Sequence, residues 1–347
     1  MKKCKGRGIF SNDYDRLSDC GRKLFVFSIP QVVKMVRKAI KFPLLSLLIV
    51  ILLTGCNGGK GKRLPSSTGQ PYEVVLEGDT ANIVSEILAE DVPALPQSEP
   101  LCNIIRVKRG KAKGSYSTVR TRIVVDIDTR HEAFSAKTYK DANASPQLVI
   151  RIRAKSAEQL RAMLYDKDGQ PNGNAQKLRT LIDQSELQHL ASTIKQNPEK
   201  QREVKRMFGI DMKIPLSMDA SKKGKGFLWL SNNANTGMQN ILVFRVKNDK
   251  RRGKREAGRE KNDTFASLQQ QVDSILQKNM PGETDSMYMT IPRIAERGLW
   301  QMKGDAMGGP YVMKTKGDIA VIAFVYAPEK KKRNLTKQLE AVLTTIK

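Results

Sequence analysis

The chain of 347 residues carries 61 Lys+Arg against 35 Asp+Glu, a net charge of +26. Its four cysteines are placed so that only Cys102 lies beyond position 56, which excludes an intramolecular disulfide framework once an N-terminal leader is removed. The basic surplus favours anionic partners, and the residues after position 55 suffice for one large domain or two small ones.

Residues 1–34 form a mixed-charge segment, followed by Met35 and the basic run Val36-Arg37-Lys38-Ala39-Ile40-Lys41. The apolar run from Phe42 to Gly55 would reach roughly 20 Å as a helix, short of a hydrocarbon core of roughly 30 Å. A basic flank, a short apolar stretch and a small-residue end make a secretory signal. We therefore expect translation to start at Met35 and residues 1–55 to be removed. Leu53-Thr54-Gly55-Cys56 resembles the bacterial lipobox, which implies acylation of Cys56 and cleavage just before it. More than one acyl chain gives stable anchoring. Residues 56–70 then read as the lipidated Cys and a flexible Gly/Ser/Lys tether.

The folded part is expected from Pro71. Tyr72 to Leu76 reads as a strand, and Ala81 to Glu90 as a helix with Ile83, Val84, Ile87 and Leu88 at helical spacing. Strands follow over Asn103 to Arg109, Arg120 to Asp128 and Gln147 to Arg153, the last alternating apolar and Arg. Ser156 to Tyr165 is a short helix and Asn174 to Phe208 a helical block. Within that block Ser185 to Gln188 resembles a capping box, Asn197-Pro198 a helix start and Gly209 a stop.

In the second half Met212 to Pro215, Gly226 to Leu230 and Asn240 to Lys247 read as strands, and Phe265 to Leu276 as a helix. Glu296 to Met302 and Pro310 to Lys314 are strands. Ile319 to Tyr326 is apolar throughout, as a doubly covered central strand is. A closing helix carries the stripe Leu335, Leu339, Val342, Leu343 and Ile346, with Asn334 expected as its cap. Runs of strands between helices predict an α+β fold of mostly antiparallel sheets, in subdomains 71–210 and 211–347. The element order of the second half is similar to a PsbP/Mog1-type sandwich.

Chemistry-bearing motifs are sparse. His131 and His189 have no His or Cys at metal-ligand spacing, and nucleophile elbows, Walker loops, HExxH and CxxC do not occur. No metal, cofactor or catalytic residue is therefore assigned. RGLWQMKGDAMGGPYV at 297–312 supplies the candidate binding residues Trp300, Asp305, Gly308, Gly309 and Tyr311. The favoured reading of the same stretch is a hairpin, rising over Arg297 to Lys303, turning at GDAMGG and returning over Pro310 to Lys314, with Trp300 in the core. Glu296 and Asp305 are the acids that a glycoside hydrolase would pair. Two basic arms complete the list. Residues 106–122 include Arg106, Lys108, Arg109, Lys111 and Lys113, and residues 249–261 include Arg251, Arg252, Lys254 and Arg255. Either arm suits an anionic leaflet.

LPSSTGQPYEV at 64–74, VPALPQSEPL at 92–101, SPQLVIRI at 145–152, MFGIDMKIP at 207–215, RGLWQMKGDAMGGPYV at 297–312 and FVYAPEKKKRNLTKQLEAVL at 324–343 together resemble a Bacteroidetes lipoprotein family, domain-of-unknown-function family 4837. The resemblance implies an envelope lipoprotein and assigns no activity. The residues after Cys56 (Asn57, Gly58, Gly59, Lys60) lack the acids that accompany surface export, which favours the periplasmic face of the outer membrane. The resulting expectation is a non-catalytic binding or assembly lipoprotein. Its expected partners are the membrane and an envelope protein or anionic glycolipid, with nucleic acid not expected. The alternative is an envelope hydrolase acting on glycan or lipid.

Overall fold

The computed structural model describes residues 63–247, 260–284 and 286–347, without side chains for 260–267. The expected leader, Cys56 and the start of the tether lie outside the described residues. So do Arg251, Arg252, Lys254 and Arg255 of the second basic arm. Ordered backbone begins ahead of Pro71: the Thr68 amide donates to the Thr118 carbonyl (2.9 Å), and the Arg120 amide donates to Thr68 (2.9 Å). Among the described residues no helix is long and apolar enough to cross a membrane.

The first part runs β1 (Glu73–Glu77), α1 (Ile83–Ala89), β2 (Asn103–Val107), the single turn α2 (Ser115–Thr118), β3 (Thr121–Ile127), β4 (Ser135–Lys140), β5 (Leu148–Ala154), α3 (Ala157–Leu164) and α4 (Gly173–Thr193). Its sheet has the order β2-β1-β3-β5-β4, and only β4 is antiparallel to its neighbour. The expectation of mostly antiparallel sheets therefore fails for this half, which is a mixed, mostly parallel α/β layer. The cause is connectivity. β1, β2, β3 and β5 are joined by crossovers that return the chain to the same end of the sheet, and only β4 turns directly back onto β5. Helices α1, α3 and α4 cover one face. Val74, Leu76, Ile123, Ile150 and Ile152 point into that core with Ile87, Leu160, Leu178 and Ile182.

The second part contains α5 (Pro198–Phe208), β6 (Ala220–Gly224), β7 (Phe227–Ser231), β8 (Met238–Arg245), α6 (Glu260–Asn279), β9 (Tyr288–Thr290), β10 (Arg297–Lys303), β11 (Gly308–Lys316), β12 (Ile319–Tyr326) and α7 (Arg333–Thr344). Every pairing in its seven-stranded sheet, order β6-β7-β8-β12-β11-β10-β9, is antiparallel. β12 is central and covered on both sides, as its apolar run requires. Val321, Ala323 and Val325 meet Val204 of α5 and Leu339 and Val342 of α7. Ile322 and Phe324 meet Val272 and Leu276 of α6 on the other face. α5 begins on Asn197, whose Oδ1 accepts from the Lys200 amide, and stops at Gly209 with φ 74°. The predicted strand at Met212–Pro215 is an extended segment outside both sheets, bridged at Pro215 to Gln196 and tied by the Lys213 amide to Thr345 Oγ1 (3.0 Å).

Two local expectations are corrected by what lies between the parts. Ser185–Gln188 is no helix start, because α4 runs unbroken through it. Glu186 is fully buried and accepts from Arg120 Nε (3.0 Å), Thr121 Oγ1 (3.1 Å) and the Tyr72 amide (3.2 Å). Asn334 does not cap α7. That cap comes from Glu99 of the first part, whose carboxylate accepts from the amides of Lys332 (2.6 Å) and Arg333 (3.2 Å). Arg333 in turn donates to the Pro100 carbonyl (2.5 Å). Lys337, one turn further on, reaches Asp183 of α4 (2.6 Å) and Glu340 (3.0 Å). Tyr72 lies beneath, at φ 61°, its hydroxyl donating to Asp183 (2.6 Å) and its ring facing both Arg333 and Lys337. A bulky residue at positive φ costs on the order of 1–3 kcal/mol, and these contacts hold it there.

Removing one member of a buried ion cluster strands the others. Glu99→Ala is expected to lower stability by about 3 kcal/mol in urea unfolding, with Glu99→Gln falling between it and the parent. Burial raises the Cys102 thiol from 9.0 to about 12. The unfolded chain therefore loses this proton first as pH rises. The associated stabilisation is complete below pH about 9 and is lost as pH climbs toward 12. Stability of the parent should fall more steeply with pH across that window than stability of Cys102→Ala.

Candidate functional site

A concavity of about 1070 Å³ lies in the second part. Leu268 and Gln269 of α6, the connecting segment Arg293–Arg297, Val312–Thr315 of β11, and Glu340, Leu343 and Thr344 of α7 line it. The connecting segment has no regular secondary structure, so side chains must satisfy its backbone. Gln269 does so at one end, donating to the Ile291 carbonyl (2.8 Å) and accepting from the Ile294 amide (2.8 Å). The Tyr311 hydroxyl donates to the Arg293 carbonyl (3.0 Å) and accepts from the Ala295 amide (3.0 Å). The Met313 amide closes the other end on the Glu296 carbonyl (2.7 Å).

Most charges around the cleft are engaged. Arg297 pairs with Glu340 (2.6 Å), which also meets Lys337. Lys314 donates to the Leu343 carbonyl (3.0 Å) in the last turn of α7, where a cation opposes the helix dipole. Arg293 and Glu296 project from the pinned segment exposed and without ion pairs among the described residues. The cleft thus offers Arg293 and Glu296 on a rigid backbone, with Lys314 as a second cation held, among the described residues, only by a carbonyl, beside the apolar groups of Leu268, Val312 and Leu343.

The candidate residues of 297–312 fall elsewhere. They form the β10–β11 hairpin, with Trp300 and Tyr311 in the core. Trp300 donates from Nε1 to the Val325 carbonyl (3.1 Å) and packs edge-on against Phe324 and Tyr326. Gly309 is what permits this, since a Cβ there would stand 2.2 Å from the Val325 carbonyl oxygen and 3.1 Å from the indole nitrogen. A Cβ at Gly308 would stand 2.9 Å from the Trp300 carbonyl oxygen. Both glycines lie in β11 and serve close strand packing. Asp305 sits in the hairpin turn, its carboxylate accepting from the Ala306 amide. Glu296 stands at the opposite end of β10, roughly 25 Å along an extended strand. Paired glycosidase carboxylates stand about 5–10 Å apart, so these two acids do not act together.

The first basic arm is divided. Arg120 is buried against Glu186, Arg122 meets Glu77 (3.2 Å) and Arg109 meets Asp126 (2.7 Å). Arg106, Lys108, Lys111 and Lys113 remain exposed on and after edge strand β2. His131 Nε2 approaches Asp126 (3.2 Å), and His189 is held below its usual pKa by burial and by the nearby Arg120 charge. Among the described residues no group of three or more His, Cys, Asp or Glu side chains is placed to hold a metal ion.

Residues 197–345 match the domain of unknown function DUF4837, and residues 67–195 match a second one, DUF8532. Comparison with curated proteins finds none that matches. The resemblance to family 4837, read over residues 64–343, is therefore matched over the part with the antiparallel sheet and the cleft. The parallel layer lies within the span that matches the other domain model. The two matched spans meet at Gln196, just ahead of α5, which sends Val204 and Phe208 into the second core. The chain carries two domains of unknown function in series, DUF8532 over residues 67–195 and DUF4837 over residues 197–345.

Proposed function

We propose that this protein is an envelope lipoprotein of a Gram-negative bacterium of the Bacteroidetes. In this reading it is held through acylated Cys56 on the periplasmic face of the outer membrane. There it acts as a non-catalytic binding or assembly factor. The anchor rests on Leu53-Thr54-Gly55-Cys56 following a basic flank and a short apolar run. The binding role rests on one observation, the cleft whose Arg293–Glu296 wall is fixed by Gln269 and Tyr311 while its two unpaired charges face outward. A wall that does not have to be ordered on contact lowers the entropic cost of recognition. Charges of both signs beside apolar surface suit a polypeptide segment of an envelope protein better than a uniformly anionic glycolipid.

Cys56→Ser is expected to abolish incorporation of labelled fatty acid and to move the protein out of the membrane fraction. Undiminished acylation of the Cys56→Ser variant, or a parent chain without acyl groups, would end the anchor reading. For the cleft, a photo-crosslinker at Arg293 should capture a discrete envelope protein that survives high salt, and one at Lys278 should not. Equal capture from both positions would end the cleft reading. Tyr311→Phe should keep the fold and raise amide exchange at Ala295 by about fivefold, as loss of one hydrogen bond worth about 1 kcal/mol implies.

A further inference from the structure

Helices cover only one face of the DUF8532 sheet. On the other, the loop after β2 reaches back over β1 and β2, where Ala112 and Val119 pack on Val75. Among the described residues no helix lies over β3, β5 and β4 on that side. By register, this open area presents Arg122, Val124 and Asp126 of β3, Val149, Arg151 and Arg153 of β5, and Ser135, Lys137 and Tyr139 of β4. Its acids are already matched. Glu77 holds Arg122, and Asp126 holds Arg109 and approaches His131. Glu73, on the same side of β1, lies under the arriving chain beside Gly69.

Lys137, Arg151 and Arg153 are left exposed and have no carboxylate partner among the described residues. Lys137 and Arg151 stand directly opposite each other across β4 and β5. Like charges in that position destabilise a sheet. Arg153 lies two residues along, roughly 7 Å away on the same face. Lysine on an edge strand has an ordinary use in blocking edge-to-edge pairing. That accounts for Lys137 on β4 and not for two arginines on β5, which is paired on both sides. Tyr139 lies beside them, 41% exposed, with the Arg151 guanidinium 5.6 Å from its ring centre. Arg153 has Asp126 across from it on β3, already engaged with Arg109, and an acid at Lys137 or Arg151 would serve the folding energy of the domain, so the cluster fits a counterion outside the chain.

The geometry points to this face as a docking surface for the anionic headgroups of a membrane leaflet. The occupant follows from where the chain arrives. Ser66 bridges to Ser145, four residues before Val149 on the open face. Cys56 lies ten residues before Ser66, a reach of at most about 35 Å. This choice of occupant rests on the anchor reading above. A short tether holds the protein within reach of headgroups, and three flat-set cations with an interfacial tyrosine match them in charge and depth.

The test uses the full chain, reconstituted into phosphatidylcholine vesicles with or without phosphatidylglycerol, with lysines titrated by an amine-reactive reagent. Lys137 labelling, referred to exposed Lys278, should fall about fivefold in anionic vesicles, the factor for one basic residue near such a surface. High salt should restore it. The double variant Arg151→Gln/Arg153→Gln should label as in neutral vesicles with its Tm unchanged or raised, because the cross-strand repulsion is gone. Equal labelling of Lys137 in both vesicles, or protection that survives high salt, overturns the proposal. Stronger protection by a soluble oligonucleotide than by vesicles does so too, by giving the face to another polyanion. The mass of the Cys56 peptide separates the two readings. Acylated Cys56 with unprotected Lys137 removes the docking face and keeps the anchor. Protected Lys137 with bare Cys56 removes the anchor and keeps the face.

Discussion

A carboxylate from one domain ends the first turn of the last helix of the other. Glu99 takes the amides of Lys332 and Arg333, so the exposed dipole of α7 is neutralised only when the domains meet. The neighbouring groups make the same demand. Lys337 needs Asp183, Arg333 needs the Pro100 carbonyl, and Tyr72 needs Asp183 to hold its strained backbone. Each is buried at the join, and a buried charge without its partner costs several kcal/mol. The arrangement therefore fixes how the two sheets sit, more firmly than apolar contact alone would.

The same helix forms a wall of the cleft. Glu340 pairs inward with Lys337 and outward with Arg297. One chain of charges thus runs from Tyr72 through Asp183, Lys337 and Glu340 to the cleft rim. The two surfaces differ in kind. The cleft has a pinned backbone and mostly matched charges. The open sheet face has excess charge on a flat, regular frame. The first suits a shaped partner and the second a surface.

Elements with one strong period are legible in the sequence. β12 is apolar at every position, β5 alternates, and α5 carries its cap, its proline and its terminal glycine. The parallel sheet is not, because the crossover from β2 to β3 contains only the single turn α2 and looks like a hairpin loop. β4 escapes notice because SAKTYK offers one small apolar residue, Ala136, to the core. Glu186 is easily misread although a signal exists. It continues the stripe Ala175, Leu178, Ile182 at helical spacing, and an acid in such a place implies a buried partner. Trp300 and Tyr311 are visible as notable residues, yet their packing role depends on β12 beside them. The cleft draws its walls from four segments scattered over 268–344, and no local pattern announces it.

The position of α7 near the end of the chain sets an order of events. Lys332, Arg333 and Lys337 are synthesised well after Tyr72, Glu99 and Asp183. Until that later segment is in place, the first domain holds an uncompensated acidic patch and a tyrosine in a costly conformation. Its parallel pairings, distant in sequence, also form slowly. A chain interrupted before residue 332 would stay open at the join, readable by proteases as unfinished. Closure of the join is thereby coupled to synthesis of the chain through α7.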